Sequence, residues 1–276
     1  MHMKTVKQIG IWTVALMLLA AEVVGQGNEF TIPLSDPAKR GKLKASLNTG
    51  SITVKGTARK DVLVRYKEVT SDHDDDNKEG KTGNREGLKR IGGGGLELNA
   101  SENSNFVKVS SGSWSIQTDL DIEVPSGMDL VVSTYNDGDI MISNIQGEVE
   151  LVNYNGEITA LNISGSVVAT TYNGAIRVTF DKVTEQKPMS YATYNGDIDL
   201  TYPAATKATF KMKTDQGDIY TGFEMSVSSS GPVKQDNSKT GGFKLKIDEW
   251  KRGDINGGGP EMALKTYNGD IYIRKK

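Results

Sequence analysis

The chain of 276 residues contains no cysteine. That absence excludes disulfides, thiolate-held zinc, a thiol nucleophile and a lipidated cysteine behind an export signal. Histidine is almost missing too: only His2 and His73 occur. A Ser-His-Asp triad or a histidine-held metal site therefore has little to draw on. Lys and Arg number 33 against 35 Asp and Glu, so no basic excess marks a nucleic-acid binder. Aromatics make up 7% of the chain, which suits a narrow core of Ile, Val, Leu and Ala. After residue 25 no apolar run is long enough to span a membrane.

Glycine, by contrast, is abundant, and its spacing is regular. Gly138, Gly147, Gly156, Gly165 and Gly174 fall nine residues apart. Two kinds of corner alternate. One reads Tyr135-Asn136-Asp137-Gly138, Tyr154-Asn155-Gly156 and Tyr172-Asn173-Gly174; the other reads Asn144-Ile145-Gln146-Gly147 and Asn162-Ile163-Ser164-Gly165. The full repeat is thus 18 residues. Apolar residues stand two and four places after each glycine, as in Ile140/Ile142 and Val149/Leu151. That is strand alternation, one face in and one face out. The Tyr-Asn-Gly corner recurs at Asn195-Gly196 and Asn268-Gly269, decays at Gln216-Gly217, and has an early outlier at Asn48-Thr49-Gly50.

Two all-β folds fit this period. An antiparallel meander would use Asn-Gly as hairpin turns. A parallel β-solenoid would stack each corner about 4.8 Å above its equivalent one coil earlier. Identical corner residues favour the solenoid, because there they touch, and asparagine and aromatic ladders form. The expected fold is a right-handed β-helix-like solenoid with roughly 18–22 residues per coil. Tyr135, Tyr154, Tyr172 and Tyr194 should then lie in one file, beside Asn136, Asn155, Asn173 and Asn195.

The repeated Asn-Gly-Asp-Ile corners, the opening strand Asp121-Ile122-Glu123-Val124-Pro125-Ser126-Gly127 and the final Lys265-Thr266-Tyr267-Asn268-Gly269-Asp270-Ile271-Tyr272-Ile273 carry a resemblance. Over roughly residues 40–276 the chain resembles an adhesin-type β-solenoid family of unknown function, common in exported proteins of Bacteroidetes-like bacteria. The resemblance implies a non-catalytic, exported surface module. It supplies no catalytic residue to carry over.

Residues 1–25 read as an export signal: Lys4 and Lys7, an apolar core from Ile9 to Ala21, then Val23-Val24-Gly25. Residues 26–276 are expected to form one solenoid domain, in the periplasm or at the cell surface of a Gram-negative bacterium. Residues 29–67 are assigned to the N-terminal cap and first coils. Two stretches, 68–95 and 228–242, read as flexible loops. The first holds Asp72, Asp74 and Asp76 at the start of a calcium-loop pattern, but Asn77 and Gly83 break it. Arg252-Gly253-Asp254 spells an integrin tripeptide in a glycine-rich setting. Trp114 and the bulky set Phe180, Tyr191, Tyr202, Phe210, Tyr220 and Phe223 are assigned to the core.

The acids that follow the corner glycines, Asp139, Glu157, Asp197, Asp218 and Asp270, read as a hydrated charged edge. A weak calcium ladder is the sharper alternative, though each corner has one glycine where toxin repeats have more. No catalytic residue, metal ligand or cofactor is assigned. The site residues are the repeat corners themselves: Asn136, Gly138, Gly147, Asn155, Gly156, Gly165, Asn173, Gly174, Asn195, Gly196, Gly217, Asn268 and Gly269. The expected partner is a cell-surface or envelope protein or a glycan, and not nucleic acid. The competing reading is a carbohydrate-binding or carbohydrate-active β-helix, which would need two free carboxylates beside an aromatic groove.

Overall fold

The structure, a computed structural model, describes residues 28–69, 96–183, 187–229, 233–237, 242–246 and 250–276. Every regular element among them is a strand. The chain opens with β1 (Glu29–Pro33), β2 (Lys42–Leu47), β3 (Ile52–Thr57) and β4 (Asp61–Val69). Then come β5 (Asn99–Asn103), β6 (Phe106–Ser111), β7 (Gln117–Pro125), β8 (Asp129–Thr134) and β9 (Ile140–Ser143). The strict array supplies β10 (Val149–Asn153), β11 (Ile158–Ile163), β12 (Val167–Thr170) and β13 (Ile176–Phe180). Wider coils follow with β14 (Met189–Ala192), β15 (Ile198–Tyr202), β16 (Ala208–Gln216) and β17 (Ile219–Thr221). The last strands are β18 (Ser226–Ser229), β19 (Val233–Asn237), β20 (Gly242–Lys246), β21 (Lys251–Ile255), β22 (Glu261–Asn268) and β23 (Ile271–Lys275).

Within the coils, successive strands alternate between two sheets, so each coil contributes one strand to each, while β19 and β20 form a separate two-stranded sheet. The first sheet runs β1-β4-β7-β3-β9-β11-β13-β15-β23-β17 and the second β18-β21-β16-β22-β14-β12-β10-β8-β2-β6-β5. Every coil-on-coil pairing is parallel. The fold is therefore a parallel β-solenoid, and the meander is excluded.

Register makes the core. Ile52, Ile140, Ile158, Ile176, Ile198 and Ile271 stand in line across the first sheet, all fully buried. Across the second, Leu43, Leu130, Val149 and Val167 do the same. Like side chains nest on like at each step, and each coil buries its apolar face only through its neighbours. In the wider coils Phe180 stacks on Tyr202 at 4.9 Å, and Tyr191 and Phe210 are buried with them. Tyr220 departs from the core expectation and is 49% exposed.

Coil order does not follow chain order at either end. The β2–β3 coil, expected at the outer end, lies between the β6–β7 and β8–β9 coils. The β22–β23 coil lies between the β14–β15 and β16–β17 coils. Nine-residue periodicity sets what stacks on what but is blind to which coil is inserted where. Antiparallel strands close the ends. β4 and β1 cover β7, β5 covers β6, and β21 and β18 cover β16. Covering open edges removes a template for aggregation.

Several sequence-level expectations are corrected. Part of the 228–242 stretch expected as a loop is strand: β18 pairs with β21, and β19 pairs with β20. The Arg252-Gly253-Asp254 tripeptide sits in β21, where Gly253 is buried and Arg252 faces Glu261 at 3.9 Å. Glu68 and Val69 belong to β4. Residues 1–25, His73 and the acidic run Asp72–Asp76 lie outside the described residues.

Candidate functional site at the tyrosine–asparagine edge

One edge of the solenoid collects the Tyr-Asn-Gly corners. Tyr135, Tyr154, Tyr172, Tyr194 and Tyr267 stack in sequence, with ring centroids 4.6, 5.1, 4.9 and 4.8 Å apart and planes within 10°. Each ring is 37–43% exposed. Trp114 meets Tyr135 edge-on at 5.4 Å and is 61% exposed. It is a surface residue, against the expectation of core packing. It reaches across the β2–β3 coil, where Asn48 replaces tyrosine and donates its side-chain amide to the Gly112 carbonyl at 2.7 Å.

Beside the rings runs an amide ladder. The Nδ2 groups of Asn155, Asn173, Asn195 and Asn268 each donate to the Oδ1 of the asparagine one coil back, at 2.7–2.8 Å. Those bonds join Asn136, Asn155, Asn173, Asn195 and Asn268 into one chain. A second layer lies inside it. Thr134, Thr171, Thr193, Thr266 and Thr214 donate their hydroxyls to the carbonyls of Gly50, Gly156, Gly174, Gly196 and Gly269. Identical residues at 4.8 Å spacing can bond in series, which explains why the corner repeats its letters.

The glycines are required by close approach. A Cβ on Gly138, Gly156, Gly174, Gly196, Gly217 or Gly269 would lie 2.0–2.1 Å from the carbonyl oxygen of the glycine on the adjacent coil. At the opposite edge Gly147 would meet the Met128 oxygen at 2.0 Å, and Gly165 the Gly147 oxygen at 1.8 Å. There the left-handed turn falls on asparagine instead, at Asn144 (φ 58°) and Asn162 (φ 56°). Asn162 also donates to the Asn144 side chain at 3.1 Å.

The corner acids have a structural task that sequence reasoning missed. Asp139 Oδ1 accepts the Glu157 backbone N–H at 2.7 Å. Asp197 accepts that of Asp270, and Asp270 that of Asp218, each at 2.8 Å. Asp119 takes the same role for Ser51 at 3.0 Å. Each carboxylate thus satisfies a backbone donor that the tight corner leaves over. Ala175 interrupts the row, and the Glu157 carboxylate turns to Arg177.

One stretch of this row is perturbed electrostatically. The Asp218 backbone N–H, with help from the Tyr272 hydroxyl at 2.9 Å, holds the Asp270 carboxyl below the usual range. The same hydroxyl bond to Asp270 pushes the Tyr272 phenol up to about 12. Tyr220, stacked on Tyr272 at 5.1 Å, is raised by the nearby Asp218 and Asp270 charges. Among the described residues no group of acids or histidines has the arrangement of a metal site, and no helix is long and apolar enough to cross a membrane.

Chemically, the edge is a spent ladder with an exposed rim. The tyrosine faces are turned on one another, so edges and hydroxyls face solvent. A sugar-stacking platform would need open ring faces, and the interior of the row has none: Tyr154, Tyr172 and Tyr194 are each stacked on both sides.

The family model described as Toastrack DUF4097 matches residues 89–274. None of the curated proteins matches the chain. Two solved structures are similar in part. A candidate cell adhesion protein from Clostridium sporogenes shows 12% identity and a TM-score of 0.48, over 90% of this chain and 99% of that one. A candidate adhesin from Bacteroides fragilis shows 10% identity and a TM-score of 0.30, over 90% and 96%.

Proposed function

Since the chain belongs to the Toastrack DUF4097 family, we propose that it is an exported, non-catalytic solenoid acting through its surface, as an adhesin-like or scaffold module. The observation that carries this reading is the use made of the corner carboxylates. Asp119, Asp139, Asp197 and Asp270 each hold a backbone N–H of the next coil. Acids bound in this way serve the stack and are poorly placed to shuttle protons for hydrolysis. What the molecule offers outward is a rigid body with two broad sheet faces and an exposed aromatic rim. Export rests on the character of residues 1–25, and the partner class is an envelope protein or a glycan.

The competing reading, a carbohydrate-binding β-helix, draws on one observation: Trp114 is 61% exposed at the end of the tyrosine file. A binding screen separates the two. The mature chain is presented to arrayed glycans and to envelope proteins, alongside a Trp114→Ala variant. Saturable binding with no turnover of polysaccharide supports a surface module, and Trp114-dependent glycan binding selects the carbohydrate reading. Release of reducing ends from any polysaccharide overturns the non-catalytic assignment.

A further inference from the structure

The two sheets arrange their outward charges differently. On the first, opposite charges face each other across neighbouring strands: Lys55 with Glu123, Lys67 with Asp119, Arg177 with Asp199, and Arg65 with both Asp121 and Glu29. On the second, like charges do so. Lys44 is paired in register with Lys108, Lys211 with Arg252, and Lys213 with Lys265. Lys42 opposite Asp129 is the exception on this face.

Directly opposed like charges destabilise a sheet. Some of this repulsion is relieved locally. Lys211 lies 4.7 Å over the Trp250 ring, Lys213 has Asp215 at 3.8 Å, and Arg252 has Glu261 at 3.9 Å. Three such pairs on one face, with none on the other, still amount to two cationic poles. One pole is on β2 and β6, the other on β16, β21 and β22. Between β2 and β22 lie four strands, so the poles are about 24 Å apart at the usual strand spacing. The intervening surface carries mostly small side chains, with Val152 and Val168 exposed at 42% and 40%; its acids are Glu150 and, paired with Arg40 and Lys187, Asp129 and Glu148.

We propose that the outer face of the second sheet binds a linear anionic polysaccharide laid along the solenoid axis, with its acidic groups on the two lysine poles. This rests on the surface-module reading and names its ligand class. The charge complements the poles, and the aliphatic faces of sugar rings fit the valine and alanine saddle between them. Nucleic acid is disfavoured because the saddle offers no aromatic face on which bases could stack.

The test uses the mature chain and four probes: polygalacturonate, dextran sulfate, uncharged dextran and single-stranded DNA. Two double variants, Lys44→Glu with Lys108→Glu and Lys213→Glu with Lys265→Glu, are compared with a first-sheet control, Lys55→Glu with Arg177→Glu. Circular dichroism confirms that each is folded. The expected result is binding of both anionic polysaccharides, weakened by about tenfold or more on raising salt from roughly 50 to 300 mM. Each pole variant should lose a similar factor, with the control unchanged and DNA and uncharged dextran clearly weaker. Equal affinity for DNA, equal loss in the control, or no binding to either anionic polysaccharide overturns the proposal. Envelope-protein binding that survives both pole variants, alongside absent polysaccharide binding, overturns this inference and leaves the surface-module reading standing. Failure to bind any glycan or protein overturns both.

Discussion

Thr118 stands in the outermost coil where Gly50 stands in the next, and a Cβ added to Gly50 would lie 1.9 Å from the Thr118 carbonyl oxygen. The pair shows what the corner glycine is for. Gly50 lacks a side chain where the backbone of the neighbouring coil packs on it, whereas the strand beyond Thr118 is the antiparallel β4, paired there at Glu68, and Thr118 keeps a fully buried side chain. At Gly50 the requirement has two sources, the close approach of the coils and a φ of 121° that L side chains rarely adopt.

The amide ladder gives the first prediction. Asn173 donates to Asn155 at 2.8 Å and accepts from Asn195 at 2.7 Å. Asn173→Ala breaks both bonds, and the expected loss is about 1–3 kcal/mol in urea unfolding. Asn162→Ala breaks one bond at the opposite edge and also places alanine in the left-handed region at φ 56°, so its loss of about 1–2 kcal/mol has both causes. Equal stability of all three proteins would show that the ladder contributes nothing.

The tyrosine file gives the second. Tyr172 stacks on two neighbours, at 5.1 and 4.9 Å. Tyr172→Ala should lose about 1–2 kcal/mol, while Tyr172→Phe keeps both stacks and should stay within a few tenths. If the phenylalanine variant falls as far as the alanine variant, the hydroxyl and not the stack is responsible.

Much of this was legible in the sequence, and for one reason. Identical residues at Tyr135, Tyr154 and Tyr172 are rewarded when they touch, so repetition of letters signals parallel stacking. Trp114 carried no such repetition, and its position at the head of the file depends on Asn48 being inserted between two later coils. Insertion of β2–β3 and β22–β23 depends on long connections, and periodicity does not encode those. The backbone role of Asp139 and Asp197 was hidden as well. A carboxylate after glycine looks the same in a sequence whether it faces water or a neighbouring N–H.

The inserted C-terminal coil gives the third prediction. β22 lies between β14 and β16, and β23 between β15 and β17. Truncation after Pro260 should therefore do more than shorten an end. It removes the seat of the 208–221 coil, and limited proteolysis should cut rapidly between residues 203 and 229. A truncated chain as resistant there as the parent would contradict the coil order.

The fourth concerns pH. The Tyr272 phenol, held by Asp270, is pushed up to about 12. A tyrosine raised on folding contributes stability below its unfolded value near 10, and loses that contribution as pH climbs through about 12. The Asp270 carboxyl is lowered, so its contribution is present above about 4 and fades as pH falls through its folded value. Ultraviolet titration of the parent minus Tyr272→Phe should show ionisation near 12. Asp270→Asn should move it toward 10. An unmoved transition would mean that the hydroxyl bond does not form.

Unfolding of Gly156→Ala beside Gly112→Ala tests the stacked-corner account most directly. A Cβ at Gly156 would meet the Gly138 oxygen at 2.1 Å and the Asn153 side-chain nitrogen at 2.6 Å, whereas one at Gly112 meets nothing within 4 Å. The account predicts a loss on the order of 1–3 kcal/mol at Gly156, from overpacking between coils and from a φ of 157° that alanine rarely adopts, and almost none at Gly112. Equal loss at the two positions, or none at Gly156, would contradict it.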